Sequence, residues 1–330
     1  MAEFPGIPRK RKATAPAPWL VRTVLPALLL ATLALAGCGR QPEPPPAPAF
    51  SMVALVDGRA PAPVVRAVRE GLATVERELD AAAVLRSVGE GGARLRSLRG
   101  AGEEGRDLVL CFCPDFDHVV FEEATAYPDT FFVTIPGRTS GPNVGSVVFE
   151  LRGAGYLAGV ALREATGGGR IALVIPPGGG EFGRGWEEGV GVAAGGEGAG
   201  VTLSAPQAVR ALREGTVAGV LYGGVAPPED LEAACSGAGA PLVVIRPSRE
   251  PEVGGGLLGA VVVDLEAVVA YLAQEAWAGT LEGDLVSFSL GSAVVDFRLA
   301  GDAPGDVAAA VRTARREVLS GLAEVESLGM

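Results

Sequence analysis

The sequence predicts an α/β protein built from doubly wound parallel sheets. Short runs rich in Val, Ile and Leu recur along the chain, each followed by a stretch of helical periodicity, which is the pattern of strands joined by crossover helices. The runs are apolar throughout instead of alternating, as in strands covered on both faces. No internal repeat is present, and two successive βα arrays suggest two similar lobes.

The elements follow in order. MVALV at 52–56 is the first strand, ended by Asp57-Gly58, and 64–79 is the first helix, with Val64, Val68, Leu72 and Val75 on one face. Strand 83–88 leads through a glycine-rich turn to helix 91–98. LVLCFC at 108–113 is the most continuous apolar strand, and the helix after it, 117–126, stops before Tyr127-Pro128 because the residue before proline is pushed out of the helical region. Strands 131–135 and 144–149 precede helix 153–165. Strand 171–175 is closed by two prolines and followed by helix 185–192. The remaining pairs are helix 206–214 with strand 217–222, helix 228–236 with strand 242–245, and strand 258–263 with helix 265–278; a last helix covers 308–322. In open parallel sheets the ligand lies outside the carboxyl ends of the strands, so residues such as Asp57, Asp115, Tyr222 and Arg246 become candidates.

The first fifty residues read differently. Arg9, Lys10, Arg11, Lys12 and Arg22 precede an apolar run ending in Leu35-Ala36-Gly37-Cys38, the layout of an export signal. That run is about fourteen residues, short of the roughly 20 that span a bilayer, and Pro26 interrupts it. Leu-Ala-Gly-Cys resembles the lipobox of bacterial lipoproteins, in which cleavage before the cysteine accompanies diacylation of its sulfur. The expectation is a signal peptide over 1–37, lipidation at Cys38, and a proline-rich tether over 38–50, extended at about 3 Å per residue. The localisation this implies is a cell membrane, with the body anchored by lipid and facing the periplasm or the exterior.

Removing residues 1–37 leaves 23 basic against 38 acidic residues, a net of −15, and takes away both lysines. Such a body excludes nucleic acid as an expected partner, since that binding leans on many cationic contacts. Three cysteines remain, so at least one thiol is unpaired. Cys111 and Cys113 point to one face of a strand, and with His118 alone they lack the four ligands of a zinc site; buried thiols and a surface histidine are expected, and no cofactor or metal. The glycines at 178–180, 183 and 185 lack the lysine and Ser/Thr of a phosphate loop and read as a tight turn. No Gly-x-Ser-x-Gly and no His or Cys cluster argues for an enzyme.

DLVLCFCPDFDHVVFEEATAYPDTFFVTIPG with GPNVGSVVFELRGAGYLAGVAL resembles the basic membrane protein family of lipoprotein substrate-binding proteins, the group that includes bacterial purine nucleoside receptors. The likeness rests on Ala124 to Asp129, Asn143-Val144 and Tyr156 to Gly159, and continues through GRIALVIPPGGGEFGRGWEEGV to a closing helix and short strand in VRTARREVLSGLAEV. The resemblance implies the type I periplasmic-binding-protein fold, two lobes joined by three crossings. With crossings near Val147, Pro247 and Ser287, the lobes are 51–148 plus 249–287 and 149–248 plus 288–330.

It also implies a lipid-anchored binding protein of an ABC-type importer, with a small-molecule ligand and a permease as partners. Yet where nucleoside-binding members carry Ser-Phe-Asn, this chain has Pro63, Val64 and Val65, so the ring that stacks on the base is missing. The family lysine falls at Val263, and two family aspartates appear as Pro136 and Arg246. A purine nucleoside is therefore not the expected ligand. Asp57, Gly58, Asp115, Phe116, Phe182, Tyr222 and Arg246 are the expected cleft residues, Arg246 offering a planar fork to a carboxylate or other anion. The alternative expectation is a degenerate binding-protein fold acting as a regulatory or interaction lipoprotein without cargo.

Overall fold

The computed structural model describes residues 50–113, 115–176, 186–193, 200–249 and 256–321. The export signal, Cys38 and the proline tether lie outside the described residues, as do Phe182, the glycines at 178–185 and the short strand expected after the last helix.

The chain runs β1 (Ser51–Asp57), α1 (Ala62–Leu79), β2 (Ala82–Val88), α2 (Gly92–Glu103), β3 (Leu108–Phe112), α3 (Phe116–Ala124), β4 (Phe131–Thr134) and β5 (Val144–Glu150). It continues with α4 (Arg152–Ala165), β6 (Ile171–Val174), α5 (Trp186–Ala193), β7 (Gly200–Leu203), α6 (Ala205–Arg213), β8 (Gly219–Tyr222), α7 (Glu229–Ala238) and β9 (Leu242–Arg246). It closes with β10 (Leu257–Val263), α8 (Leu265–Ala278), β11 (Leu285–Ser289), β12 (Val295–Leu299) and α9 (Gly305–Leu319). Within the described residues each expected strand and helix is present at about its sequence bounds, the helix expected at 91–98 running on to Glu103. β7, β11 and β12 are additional. Among the described residues no helix is long and apolar enough to cross a membrane.

Two six-stranded sheets result, ordered β11-β5-β4-β3-β1-β2 and β12-β10-β9-β8-β6-β7. All neighbours pair in parallel except β10 with β12. The chain changes sheet three times: between β5 and α4 at Leu151, between β10 and α8 at Asp264, and between β11 and β12 near Leu290. The sequence reading placed the second crossing near Pro247 and residues 249–287 with the first sheet. β10 instead pairs with β9, Val261 opposite Ile245, so that strand belongs to the second sheet, while α8 and β11, whose Leu285 lies opposite Ser146 of β5, return to the first.

Each sheet is covered on both faces. In the first, Met52, Ala54, Val56, Leu108 and Leu110 pack on α1 and α8, while Val53, Leu55, Val109, Cys111 and Phe132 pack on α2 and α3. In the second, Ile171, Leu221, Val243 and Val261 face α4 and α9, while Ala172, Val220, Val244 and Ala260 face α6 and α7. The apolar cluster on the α1 side of the first sheet is continuous, through Val147, Phe149 and Leu151, with the α4 side of the second.

The helices start and pack for local reasons. Ser204 and Gln207 form a reciprocal capping box before α6, and Asp264 caps α8 by accepting from the Ala267 N–H at 3.2 Å. The tightest helix contact is between α4 and α5, where a Cβ on Gly159 would stand 2.7 Å from the Ala193 Cβ and 3.0 Å from the Val190 Cα. Glycine is required there because the two backbones approach too closely for any side chain.

Candidate functional site

The carboxyl ends of the first sheet carry a charged network. β1 ends at Asp57, and the turn through Gly58 is pinned by the Gly58 N–H donating to the Val88 carbonyl at 2.8 Å. Asp57 accepts from the Arg59 N–H at 2.8 Å and from the Arg59 guanidinium at 3.1 Å. Arg94, in the first turn of α2, reaches over from β2 to donate through Nη2 to Asp57 Oδ2 at 2.7 Å and through Nη1 to Asp115 Oδ2 at 2.6 Å. Arg59 also pairs with Glu90 at 2.7 Å. Five charged side chains thus tie together the loops after β1, β2 and β3.

Burial separates their roles. The side chains of Asp57 and Arg94 are only 11% and 10% exposed, whereas Asp115 is 55% exposed and Glu90 67%. Hydrogen bonds from Arg59, with Arg94 behind it, hold the Asp57 carboxyl well below the usual carboxylate range despite its burial. The Cys113 Sγ lies 3.6 Å from Asp57 Oδ2, and burial pushes its thiol up to about 11.

Beside this network the carboxyl end of β4 is joined by hydroxyls to Ser146 near the start of β5. Thr134 Oγ1 donates to Asp117 Oδ1 at 2.7 Å and lies 2.6 Å from Ser146 Oγ; Asp117 also accepts from the Arg138 N–H at 2.8 Å. Asn143 uses its amide to gather the carbonyls of Ala124, Tyr127 and Thr130 at 2.9 to 3.0 Å, which fixes the turn between α3 and β4.

At the carboxyl ends of the second sheet stand Tyr222 and Arg246. Tyr222 lies opposite Val244, so Arg246, two residues further, shares its face. The Tyr222 ring is buried against Pro176 and Gly224, where a Cβ would meet the ring at 2.7 Å. Arg246 is half-buried and carries no hydrogen bond or ion pair among the described residues, and its Nε is sealed from solvent without an acceptor. At the second crossing Arg249 pairs with the buried Asp264 at 2.7 Å and donates to the Ala293 carbonyl, while its own carbonyl accepts from Arg298 at 2.7 Å. A groove of about 780 Å³ runs from there along α1 and α8, lined by charged side chains including Arg66, Glu70, Arg77 and Glu266.

The structure therefore brings Asp57, Gly58 and Asp115 together at one sheet edge and Tyr222 and Arg246 at the other. Phe116 is a correction. It is fully buried among Leu55, Cys111, Val120 and Phe132 under α3, and so belongs to the core and not to a cleft wall. Arg59 and Arg94 were missed. Arg94 left a signal: it stands four residues before Leu98 and seven before Ala101, an apolar position of α2 filled by a charge. Cys111 and Cys113 share the buried α2/α3 side of the sheet and His118 is exposed. Among the described residues no group of three His, Cys, Asp or Glu side chains is placed to hold a metal.

Comparison with known proteins agrees with this architecture. Residues 51–174 match the model of the family described as ABC transporter substrate-binding protein PnrA-like. A search of curated proteins finds no match. Similar solved structures include a transcriptional activator of the comK gene from Bacillus halodurans, with a TM-score of 0.69 at 18% identity over 82% of this chain and 97% of that one. An ABC transporter system solute-binding protein from Aeropyrum pernix K1 gives 0.66 at 17% identity over 83% and 92%, and one from Conexibacter woesei gives 0.61 at 17% over 82% and 97%. At such identities the likeness establishes the fold, which is the type I periplasmic-binding-protein fold.

Proposed function

We propose that this chain, whose residues 51–174 match the PnrA-like substrate-binding family, is the extracytoplasmic solute-binding component of an ABC-type importer, tied to the membrane by lipid on Cys38. The family match carries the reading. The two sheets support it, each ending in polar residues at the edge where open parallel sheets hold ligands. On this reading each sheet with its helices is a lobe, the three connections at Leu151, Asp264 and Leu290 are hinges, and the lobes close over a small solute that is then offered to a permease. The work is binding and not catalysis.

The residues proposed to face the solute are Asp57, Gly58 and Asp115 on the first lobe and Tyr222 and Arg246 on the second, with Phe182 between β6 and α5. Phe116 supports them from the core. A purine nucleoside does not suit these positions. Pro63, Val64 and Val65 offer neither a stacking ring nor donors, and a buried nucleoside group left unpaired costs about 1 to 3 kcal/mol.

The test is mass spectrometry of the small molecule that accompanies the protein purified from its native membrane, followed by solution scattering with that molecule added and removed. A fall in radius of gyration on addition supports the reading; an unchanged particle opposes it. Palmitate labelling that persists in a Cys38→Ala variant would refute the anchor.

One observation favours a second reading. The polar groups at the edge of the first sheet satisfy one another, Arg94 spanning Asp57 and Asp115, as in a cleft that no longer takes cargo. A lipoprotein that kept the fold as an interaction module would show a permanently closed, ligand-free particle in the same scattering experiment.

A further inference from the structure

Among the described residues, the buried side-chain polar atoms with no hydrogen-bond partner are Arg94 Nε and Arg246 Nε. Both belong to arginines at the carboxyl edges of the sheets, one on each sheet. Their situations differ. Arg94 spends its two terminal nitrogens on Asp57 and Asp115, so its charge is answered within the fold. Arg246 has no acid at all among the described residues, although it is half-buried and the body carries a net charge of −15 once residues 1–37 are removed.

Other buried charges among the described residues are answered, Asp57 by two arginines and Asp264 by Arg249. An arginine held half out of water with no counter-charge is poised for an anion, because partial desolvation strengthens its attraction to one and no internal acid has to be displaced. We infer that the solute carries a carboxylate and that Arg246 binds it end-on through its two terminal nitrogens. The inference rests on the solute-binding reading above and narrows it to a class of ligand.

The surroundings fit a compact, singly charged group. Arg246 stands on the same face of the sheet as Tyr222, one register step along the neighbouring strand, and the Tyr222 ring is packed at Pro176 and Gly224. The loop after β8 is held close by the Ile245 N–H donating to the Gly224 carbonyl at 3.2 Å, which is possible because Gly224 has no side chain to meet the ring. Arg246 brings one positive fork, suited to the two oxygens of a carboxylate. The exposed acids Glu90 and Asp115 on the first sheet disfavour a polyanion and tolerate a neutral or cationic remainder of the solute.

The test uses the full-length protein in detergent and a thermal-shift panel of L-alanine, L-leucine, L-lactate and pyruvate. L-alaninamide, lactamide, inosine, glucose and inorganic phosphate are the controls. At least one carboxylate is expected to raise the melting temperature while its amide does not. Arg246→Gln is expected to weaken that binding at least tenfold, Arg246→Lys to keep part of it, and neither to lower the melting temperature of the ligand-free protein. If inosine, glucose or phosphate binds instead and Arg246→Gln leaves that binding intact, the inference falls while the solute-binding reading stands. If Arg246→Gln destabilises the ligand-free protein by several degrees, an internal acid already holds the guanidinium and the inference falls in another way. Silence across the panel, with nothing co-purifying, overturns the solute-binding reading itself.

Discussion

Asp57 shows how much one side chain is asked to do at the edge of a parallel sheet. Its contact with Arg59, which is 65% exposed, is partly screened by solvent although it lowers the carboxyl most, whereas the pair with Arg94 is buried on both sides. Removing the Asp57 charge leaves the buried Arg94 with the half-exposed Asp115 alone, so Asp57→Asn is expected to lose about 1 to 3 kcal/mol in urea unfolding. Because the folded carboxyl lies below its unfolded value, its contribution is present above the ordinary carboxylate range and is lost as pH falls through the folded value. The wild type should therefore lose more stability than Asp57→Asn on acidification from about pH 5 to pH 2. Asp264 acts with the opposite sign: burial raises its carboxyl, so its contribution fades as pH rises through that higher value, and comparison with the variant isolates Asp57. The thiols give a second check. Cys113 and Cys235 are pushed up to about 11 and Cys111 higher still, all by burial. These three should resist a thiol reagent at pH 8 in the native protein and react at once in guanidinium. Asp57 was legible in the sequence because it ends an apolar run; Arg94 was not, because a charge on the inner stripe of a helix contradicts the pattern that locates helices.

At the scale of elements, the segments that carry the family resemblance turn out to be packing devices. Tyr127 lies flat against Gly102 of α2, Asn143 ties three carbonyls, and Gly159 admits α5 to the surface of α4. Gly159→Ala gains helix propensity of up to about 1 kcal/mol but drives a Cβ to 2.7 Å from Ala193 and 3.0 Å from backbone. Overpacking of this kind costs about 1 to 3 kcal/mol, and the clash wins. Gly191→Ala on the facing helix meets nothing within 4 Å and is expected to stabilise by about 0.5 to 1 kcal/mol. Opposite signs in the two melting temperatures would confirm the packing; equal signs would contradict it. The strands that sequence reading found are central ones with continuous apolar runs, except β2, an edge of the first sheet with mixed burial that still carries Ala, Val and Leu in sequence. The three it missed, β7, β11 and β12, are all edges with mixed burial, such as the Leu285–Ser289 and Val295–Leu299 stretches, and they lack the continuous apolar run.

For the whole molecule, sequence order and sheet membership disagree, and that is where sequence reading failed by one strand. β10 looks like any buried strand, and nothing in LLGAVVV says which sheet it joins; only pairing with β9 does. The same interleaving leads to a prediction about truncation. A chain ended at Asp284 keeps most of both sheets but lacks β11, β12 and α9, leaving β5 and β10 as raw edges. It is expected to aggregate or to melt without cooperativity by circular dichroism, whereas a sharp unfolding transition would show that the sheets close independently of their last strands. β5 ends at Glu150, and its neighbour β11 does not begin until Leu285. On the export proposed above, a chain threaded amino end first would stay unlatched until β11 emerges, open to proteolysis if it stalls.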